Sequence, residues 1–413
     1  MKIAILSDSP TIPTGYRNQA TQLVKHLQEA GHEIHYFANA HMGSDIEYLR
    51  LKGGEEFDYK IYGHGHNNPY FSKTMEALLK SIKPERFIIL LDTFMLYPWF
   101  LNIDTAPAKS FFWFPSDGGG GLPTGCEEIL KKIDQPVSMA EFGQKQVKDY
   151  HQLDVAHIPH GVDSKAFHPL PEEERQKLKQ KYGLQGKYVI GVVARNQPRK
   201  NLDRTIKSMR LIADKIPNAV LFLHLDPNDP AQQLFSIPNL VKRYNLENRV
   251  VYSGMNAFQG FPQNKMNEVY NVMDSFLLTT SGEGFGVPIL EAMSCEIPVV
   301  ATDYTTTQEI IKDNKCGFGA KLSGTEEVDM FKENSRDYDT LVSNGTLTGS
   351  WEVERGFCDI NDACKKIVHL YNNPDLRNEF GENGRNAVLT KYDMFNVVCP
   401  AFEKLFKEML NGR

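Results

Sequence analysis

Glu283-Gly284-Phe285-Gly286-Val287-Pro288-Ile289-Leu290-Glu291, preceded by the apolar run Ser275-Phe276-Leu277-Leu278-Thr279, decides how this chain is read. The apolar run predicts a buried strand, the glycines a sharp loop, and Pro288 the first residue of a helix, where its missing N–H costs nothing. Strand, glycine loop and helix in that order aim backbone N–H groups and a positive dipole end at one spot, a ready site for phosphate. Glu291 is expected in the first turn of that helix. A carboxylate is of no use to phosphate itself, because like charges repel; it suits the hydroxyls of a ribose beside the phosphate. Glu283, on the loop, is placed to accept hydrogen bonds from a second polyhydroxy group. The arrangement reads as a nucleotide-sugar site.

Two glutamates separated by seven residues around Gly-Phe-Gly-Val-Pro resemble the donor-site signature of retaining glycosyltransferases of the GT-B fold, especially glycosyltransferase family 4. An isolated pair of acids would be better read as a helix-dipole acid and a solvated loop acid. The flanking glycines and the downstream Ile297-Pro298-Val299-Val300-Ala301 outweigh that reading. The resemblance implies an α/β fold of two Rossmann-like, doubly wound domains facing across a cleft. It also implies transfer of a hexose, with retention, from a nucleotide diphosphate sugar to a hydroxyl acceptor. GDP-mannose or a UDP-hexose would be the donor, and a glycan, a lipid-linked sugar or a small molecule the acceptor.

Composition sets the bounds. A chain of 413 residues suits two domains of ordinary size. Hydrophobic content of 41% with 24% charged residues marks a soluble globular protein. The formal charge of −6 argues against a nucleic-acid partner, whose binding runs on clustered cations. Cys126, Cys295, Cys316, Cys358, Cys364 and Cys399 are scattered without paired spacing, which favours buried thiols in a reducing compartment over zinc ligands or a disulfide framework. Lys2 and four apolar residues before Ser7-Asp8 are too short for a signal peptide. The most apolar stretch, Phe87 to Phe100, contains Asp92 and Pro98 and falls short of a membrane span. A cytoplasmic enzyme is expected, compatible with peripheral membrane contact. In that compartment the sequon Asn344-Gly345-Thr346 goes unused.

Two halves share one grammar. Lys2 to Leu6, a Pro/Gly loop, a helical stretch with Ala20, Leu23, Val24 and Leu27 on one face, and Ile34 to Phe37 form a strand–helix–strand unit. Further strands are predicted at Phe87 to Leu91, Ser110 to Phe114 and Val155 to Ile158. After the charged, proline-bearing stretch Pro169 to Gly186, the pattern restarts at Tyr188 to Ala194. It continues at Ala219 to Leu225, Arg249 to Tyr252, Ser275 to Thr279 and Pro298 to Thr302. The resulting division is residues 1–168 for an acceptor-side domain, 169–187 for a linker and lead-in helix, and 188–392 for a nucleotide-sugar domain. Residues 393–413 form a helix that, by the GT-B resemblance, crosses back to the first domain.

Other motifs fill in the site. Ile158-Pro159-His160-Gly161-Val162-Asp163, then Phe167 and Pro169, resembles the family 4 element that closes the first domain, with His160 where Asn is usual. Arg195 and Lys200 stand just past a strand at the family's five-residue separation, with Arg199 able to substitute for either. Fixed cations there bind the charge that grows on a leaving diphosphate more strongly in the transition state than in the ground state. Gly15 stands, by the resemblance, in the loop that approaches the donor diphosphate or the acceptor in this fold. Tyr16 and Arg17 are acceptor candidates. Asp117 follows Ser116, which occupies the place of the family's histidine, so Asp117 is expected to grip a sugar hydroxyl or the acceptor. The four glycines Gly118 to Gly121 predict a mobile loop. Ser253-Gly254-Met255 matches the loop that cradles the nucleobase. At Cys295-Glu296, where the family commonly has glycine before Ile-Pro, altered local geometry is expected.

By the resemblance, Arg195, Lys200 and the helix start near Val287 to Ile289 carry leaving-group charge. Glu283 with the amides of Gly284, Phe285 and Gly286 holds the sugar, and Glu291, close to Leu290, holds the ribose. No cofactor and no metal are expected, because no Asp-x-Asp cluster stands ready to present a cation to the diphosphate. Two rival readings share the donor site: a GT-B sugar-nucleotide epimerase, and a non-catalytic sugar-nucleotide-binding module. An epimerase would need acid/base carboxylates at the sugar ring, and a binder would have no use for the cations.

Overall fold

A computed structural model describes residues 1–39, 58–64, 68–97, 99–228, 235–256, 260–330 and 351–410. Pro98 and the sequon Asn344-Gly345-Thr346 lie outside the described residues. The chain divides into two compact units: Met1–Ser116, Gly121–His160 and Met394–Arg413 form one, Asp117–Gly120 and Gly161–Asp393 the other.

In the first unit the strands are β1 (Lys2–Asp8), β2 (Glu33–Asn39), β3 (Lys60–Gly63), β4 (Arg86–Leu90), β5 (Lys109–Phe114), β6 (Gln135–Ser138) and β7 (Ala156–His157). They form a seven-stranded parallel sheet in the order β3-β2-β1-β4-β5-β6-β7. Long apolar runs put β1 and β4 at the centre, where Ile5 pairs with Tyr36 on one side and Ile88 on the other. The helix Gly15–Glu29 lays Gln19, Ala20, Leu23, Val24 and Leu27 inward, the spacing of one helical face. The helix Cys399–Leu410 also packs on this unit. Phe402 lies edge-on to Trp113 with ring centroids 4.8 Å apart, and Phe406 to Phe111 at 4.9 Å.

The second unit contains β8 (Tyr188–Val193), β9 (Ala219–His224), β10 (Val250–Tyr252), β11 (Ser275–Leu278), β12 (Val299–Thr302) and β13 (Gly317–Ala320), all parallel, in the order β10-β9-β8-β11-β12-β13. Ile190, Val192, Leu221, Leu223, Leu277 and Val300 meet Ile206 and Met209 of the helix Leu202–Ala213 and Ile367 and Leu370 of the helix Ile360–Asn372 in one core. The chain order reverses between β8 and β11. In open α/β sheets that reversal point, at the carboxyl ends of the strands, is where loops diverge and leave room for a ligand. A separate antiparallel ribbon, β14 (Leu322–Asp329) with β15 (Glu352–Cys358), follows β13 and has no counterpart in the sequence reading.

Candidate functional site

The loops leaving β8 and β11 meet at the reversal point. After β8, Pro198 opens a short turn, Pro198–Lys200, and Asn201 turns the chain through φ 47°, a left-handed conformation that asparagine tolerates well. This places Arg199 and Lys200 against the glycine loop after β11. The Lys200 ammonium donates to Glu283 Oε1 at 2.6 Å, and Arg199 Nη1 donates to Glu283 Oε2 at 3.0 Å and to the Gly282 carbonyl at 3.3 Å. The loops are also tied by backbone: Ser281 N–H donates to Arg199 O at 2.7 Å. Arg199 Nε lies 3.5 Å from Asp117 Oδ2. Asp117, Arg199, Lys200 and Glu283 thus form one cluster.

Burial disfavours a charged Glu283, but the Lys200 and Arg199 cations outweigh it and hold the carboxyl at about 2. Lys200 is pushed down to about 8, first by burial and then by Arg199, against the pull of Glu283. Asp117 is half-buried. Burial opposes its charge, yet Arg355 and Arg199 leave its carboxyl below the usual range. Lys200 is therefore buried and ion-paired although it lies on a loop. Arg195 heads the same turn, its carbonyl accepting from Gln197 N–H at 2.8 Å, while Arg199 is the arginine that joins Lys200 on Glu283.

The helix after the loop runs Val287–Ser294. Gly286 caps it at φ 95°, so the helix begins at Val287 and Pro288 is its second residue. Glu291 is consequently the fifth helical residue and opens the second turn, one residue further along than a helix starting at Pro288 would put it. There it is buried, and the Tyr270 hydroxyl donates to Glu291 Oε2 at 2.6 Å. Burial pushes its carboxyl up to about 7, with the Tyr270 hydrogen bond pulling the other way. Tyr270 stacks edge-on against Phe167, so the Phe-x-Pro element supports the ring that holds Glu291. Ile289 and Leu290 are core side chains, Phe285 packs edge-on to Tyr392, and Ile289 N–H bonds to Gly286 O at 2.8 Å. What this turn can offer a ligand is backbone at Gly284 to Val287.

Ser253 and Gly254 follow β10. Ser253 Oγ is 2.9 Å from Nδ1 of His224 at the end of β9, a histidine that burial lowers to about 4. Met255 is half-buried on the same loop. Gly15, Tyr16 and Arg17 belong to the first unit, at the end of β1. Thr14 caps their helix, Tyr16 donates to Asp92 Oδ1 at 2.5 Å, and Arg17 Nε donates to Pro10 O at 3.0 Å. His160 is buried edge-on to Trp113, 4.4 Å between centroids, and burial holds it near 3.

One loop expectation changes. The glycine run is not a loose loop: Gly119 N–H donates to Glu354 O at 3.0 Å and Glu354 N–H to Gly119 O at 3.1 Å, joining it to β15 as a strand-like bridge. At Cys295-Glu296, Glu296 adopts φ 60°, a left-handed conformation that glycine holds without strain. Sequence reasoning missed Tyr270, His224 and Arg355. His224 ends β9 and Tyr270 lies in the last turn of the helix Gln263–Asn271, positions that emerge only once the elements pack, and Arg355 belongs to the unforeseen ribbon.

Residues 174–337 match the glycosyl transferases group 1 family. The chain resembles glycosyltransferases of the GT-B fold. Mannosylfructose-phosphate synthase of Agrobacterium fabrum is 32% identical over 183 residues, 43% of this chain and 38% of that protein. The GDP-mannose-dependent alpha-(1-6)-phosphatidylinositol monomannoside mannosyltransferase of Mycolicibacterium smegmatis is 27% identical over 168 residues, 39% of this chain and 41% of its own length. The chain thus spans less than half the length of these curated relatives. Among solved structures, sucrose-phosphate synthase from Thermosynechococcus elongatus superposes with a TM-score of 0.73 at 16% identity, covering 100% of both chains. Anabaena HepE, solved with UDP and glucose, superposes with a TM-score of 0.69 at 14% identity, covering 98% of this chain and 100% of that one. These likenesses establish the two-unit GT-B fold.

Proposed function

We propose that the protein is a retaining glycosyltransferase that moves a hexose from a nucleotide diphosphate sugar to a hydroxyl acceptor. The observation that carries this reading is the meeting of Lys200 and Arg199 on Glu283 at the reversal point of the second sheet. When a glycosidic bond to a diphosphate breaks, negative charge accumulates on the leaving oxygen. Preorganised cations there, together with the backbone amides of Gly284 to Val287, stabilise that charge. Glu283 orients both cations and lies beside the loop where the transferred sugar would sit. Glu291 accepts from the ribose hydroxyls, and the Ser253-Gly254-Met255 loop flanks the base. The donor is GDP-mannose or a UDP-hexose. The name of the Mycolicibacterium relative specifies the first, and the Anabaena structure was solved with UDP and glucose. The acceptor is a glycan, a lipid-linked sugar or a small polyol, and the reaction takes place in the cytoplasm.

The test is a panel of nucleotide sugars, each incubated with and without candidate acceptors, scoring release of nucleoside diphosphate and the anomeric configuration of the product by NMR. Release that requires acceptor, with the donor's anomeric configuration kept, supports the reading. Interconversion of sugar epimers without acceptor means an epimerase, and binding without turnover on any acceptor means a sensor. Because the side chains themselves supply the positive charge, turnover is expected to persist in excess EDTA. Loss of activity that Mg²⁺ or Mn²⁺ restores would move the charge stabilisation from the cations to a metal.

A further inference from the structure

Arg355 lies on β15 and is fully buried. Its Nη1 donates to the Asp117 carbonyl at 2.5 Å and lies 3.3 Å from Asp117 Oδ1. The approach is close on all sides. A Cβ on Gly282, in the donor loop, would stand 1.9 Å from Asp117 O and 3.0 Å from Arg355 Nη1, so only glycine fits there. The ribbon is fastened to this point. Gly356 N–H donates to Ser281 O at 3.0 Å, and the Tyr304 hydroxyl donates to Glu354 Oε1 at 2.8 Å while accepting from Gly119 N–H at 3.2 Å. β15 thus clamps the Asp117–Gly120 strap onto the donor loop.

Among the described residues, Lys200, Glu283, Arg199, Asp117 and Arg355 make a row of alternating charge. Within this row three cations face two carboxylates, an excess of one cation. Without Arg355 the count would be even. Asp117 would then draw more strongly on Arg199, and the two cations on Glu283 would be matched one for one by the acids of the row. We propose that Arg355 is a positioning residue of the donor site, which holds Asp117 and thereby keeps Arg199 available to the diphosphate. This rests on the donor reading above, and it gives the β14–β15 ribbon a role in a site to which no motif assigns it.

A double-mutant cycle tests it at pH 7 with Arg355→Met, Asp117→Asn and both together. Arg355→Met is expected to weaken nucleoside diphosphate binding by at least about tenfold, and Arg355→Lys, which keeps the charge, to stay close to wild type. Adding Asp117→Asn to Arg355→Met restores the net positive charge and should recover most of the lost affinity. A residue that merely packed the ribbon would show no such rescue. A readout without ligand covers the case in which Arg355→Met folds poorly: Asp117→Asn should lower Tm in the wild-type background and lower it less, or raise it, beside Arg355→Met. Equal Tm losses in both backgrounds, or a double variant that binds no better than Arg355→Met, overturns the proposal. If the wild type binds neither a nucleoside diphosphate nor pyrophosphate, the donor reading falls. The Tm cycle still decides whether Arg355 and Asp117 act as a pair.

Discussion

Lys200 and Glu291 are both buried ionisable groups, and they answer to pH and mutation in opposite ways. Replacing Lys200 by Ala removes a cation aimed at the leaving group, so turnover should fall by about 10²–10³. It also leaves Glu283 buried with Arg199 as its remaining cation, so stability should fall by about 3 kcal/mol. Steady-state turnover and urea denaturation measure the two losses separately, and a variant as stable as wild type would show that the pair is not coupled to the fold. For Glu291 the folded carboxyl is held at about 7 against an ordinary value near 4.5. Below the lower value both folded and unfolded chains are protonated and no penalty applies. Between the two, the unfolded chain releases its proton first, so stability declines as pH rises, and above about 7 the full penalty is present. Stability relative to Glu291→Gln should therefore drop by a few kcal/mol between pH 4.5 and 7 and then level off. A flat difference across that window would place the Glu291 carboxyl in solvent. A ligand whose hydroxyls donate to Glu291 would favour the ionised form and bind more tightly above pH 7.

Among the elements, the turn before β12 carries a side chain in a conformation that suits glycine. Glu296 holds φ 60° where glycine would be unstrained. A side chain in that region costs roughly 1–2 kcal/mol, partly offset by the stiffer unfolded chain. Glu296→Gly should accordingly stabilise the protein by about 1 kcal/mol in chemical denaturation, and a loss would mean that the Glu296 side chain contributes more than its strain costs. The same physics decides which elements could be read in advance. β8, with Tyr188-Val189-Ile190-Gly191-Val192-Val193, and β11 are buried on both faces and stand out as continuous apolar runs. β3 and β13 are four residues each, β6 contains Pro136, and β14 exposes five successive residues from Ser323 to Glu327, so none of them carries a period that a sequence can show. The donor loop was legible because its residues are neighbours in sequence. Arg355 was not, because it meets Asp117 across 238 positions.

For the molecule as a whole, the decisive fact is that the units interleave along the chain. The first owns residues on both sides of the second, which in turn claims Asp117–Gly120. Removing residues 394–413 would strip Phe402 and Phe406 from Trp113 and Phe111, and burial of each phenylalanine is worth about 3–5 kcal/mol. Calorimetry of that deletion should show the first unit's transition lost or lowered steeply, while a second transition survives; two unaltered transitions would make the helix an ornament. The interleaving also reverses the usual order of events on the ribosome. The strands of the first unit emerge before His160, but the helix that covers β5 begins at Cys399, roughly 240 residues and on the order of ten to fifty seconds of synthesis later. Most of the second unit emerges while the aromatic flank of its predecessor still waits bare. A nascent chain in that state is a natural client for a holding chaperone, and slowing translation after residue 160 should lower the yield of folded protein rather than raise it.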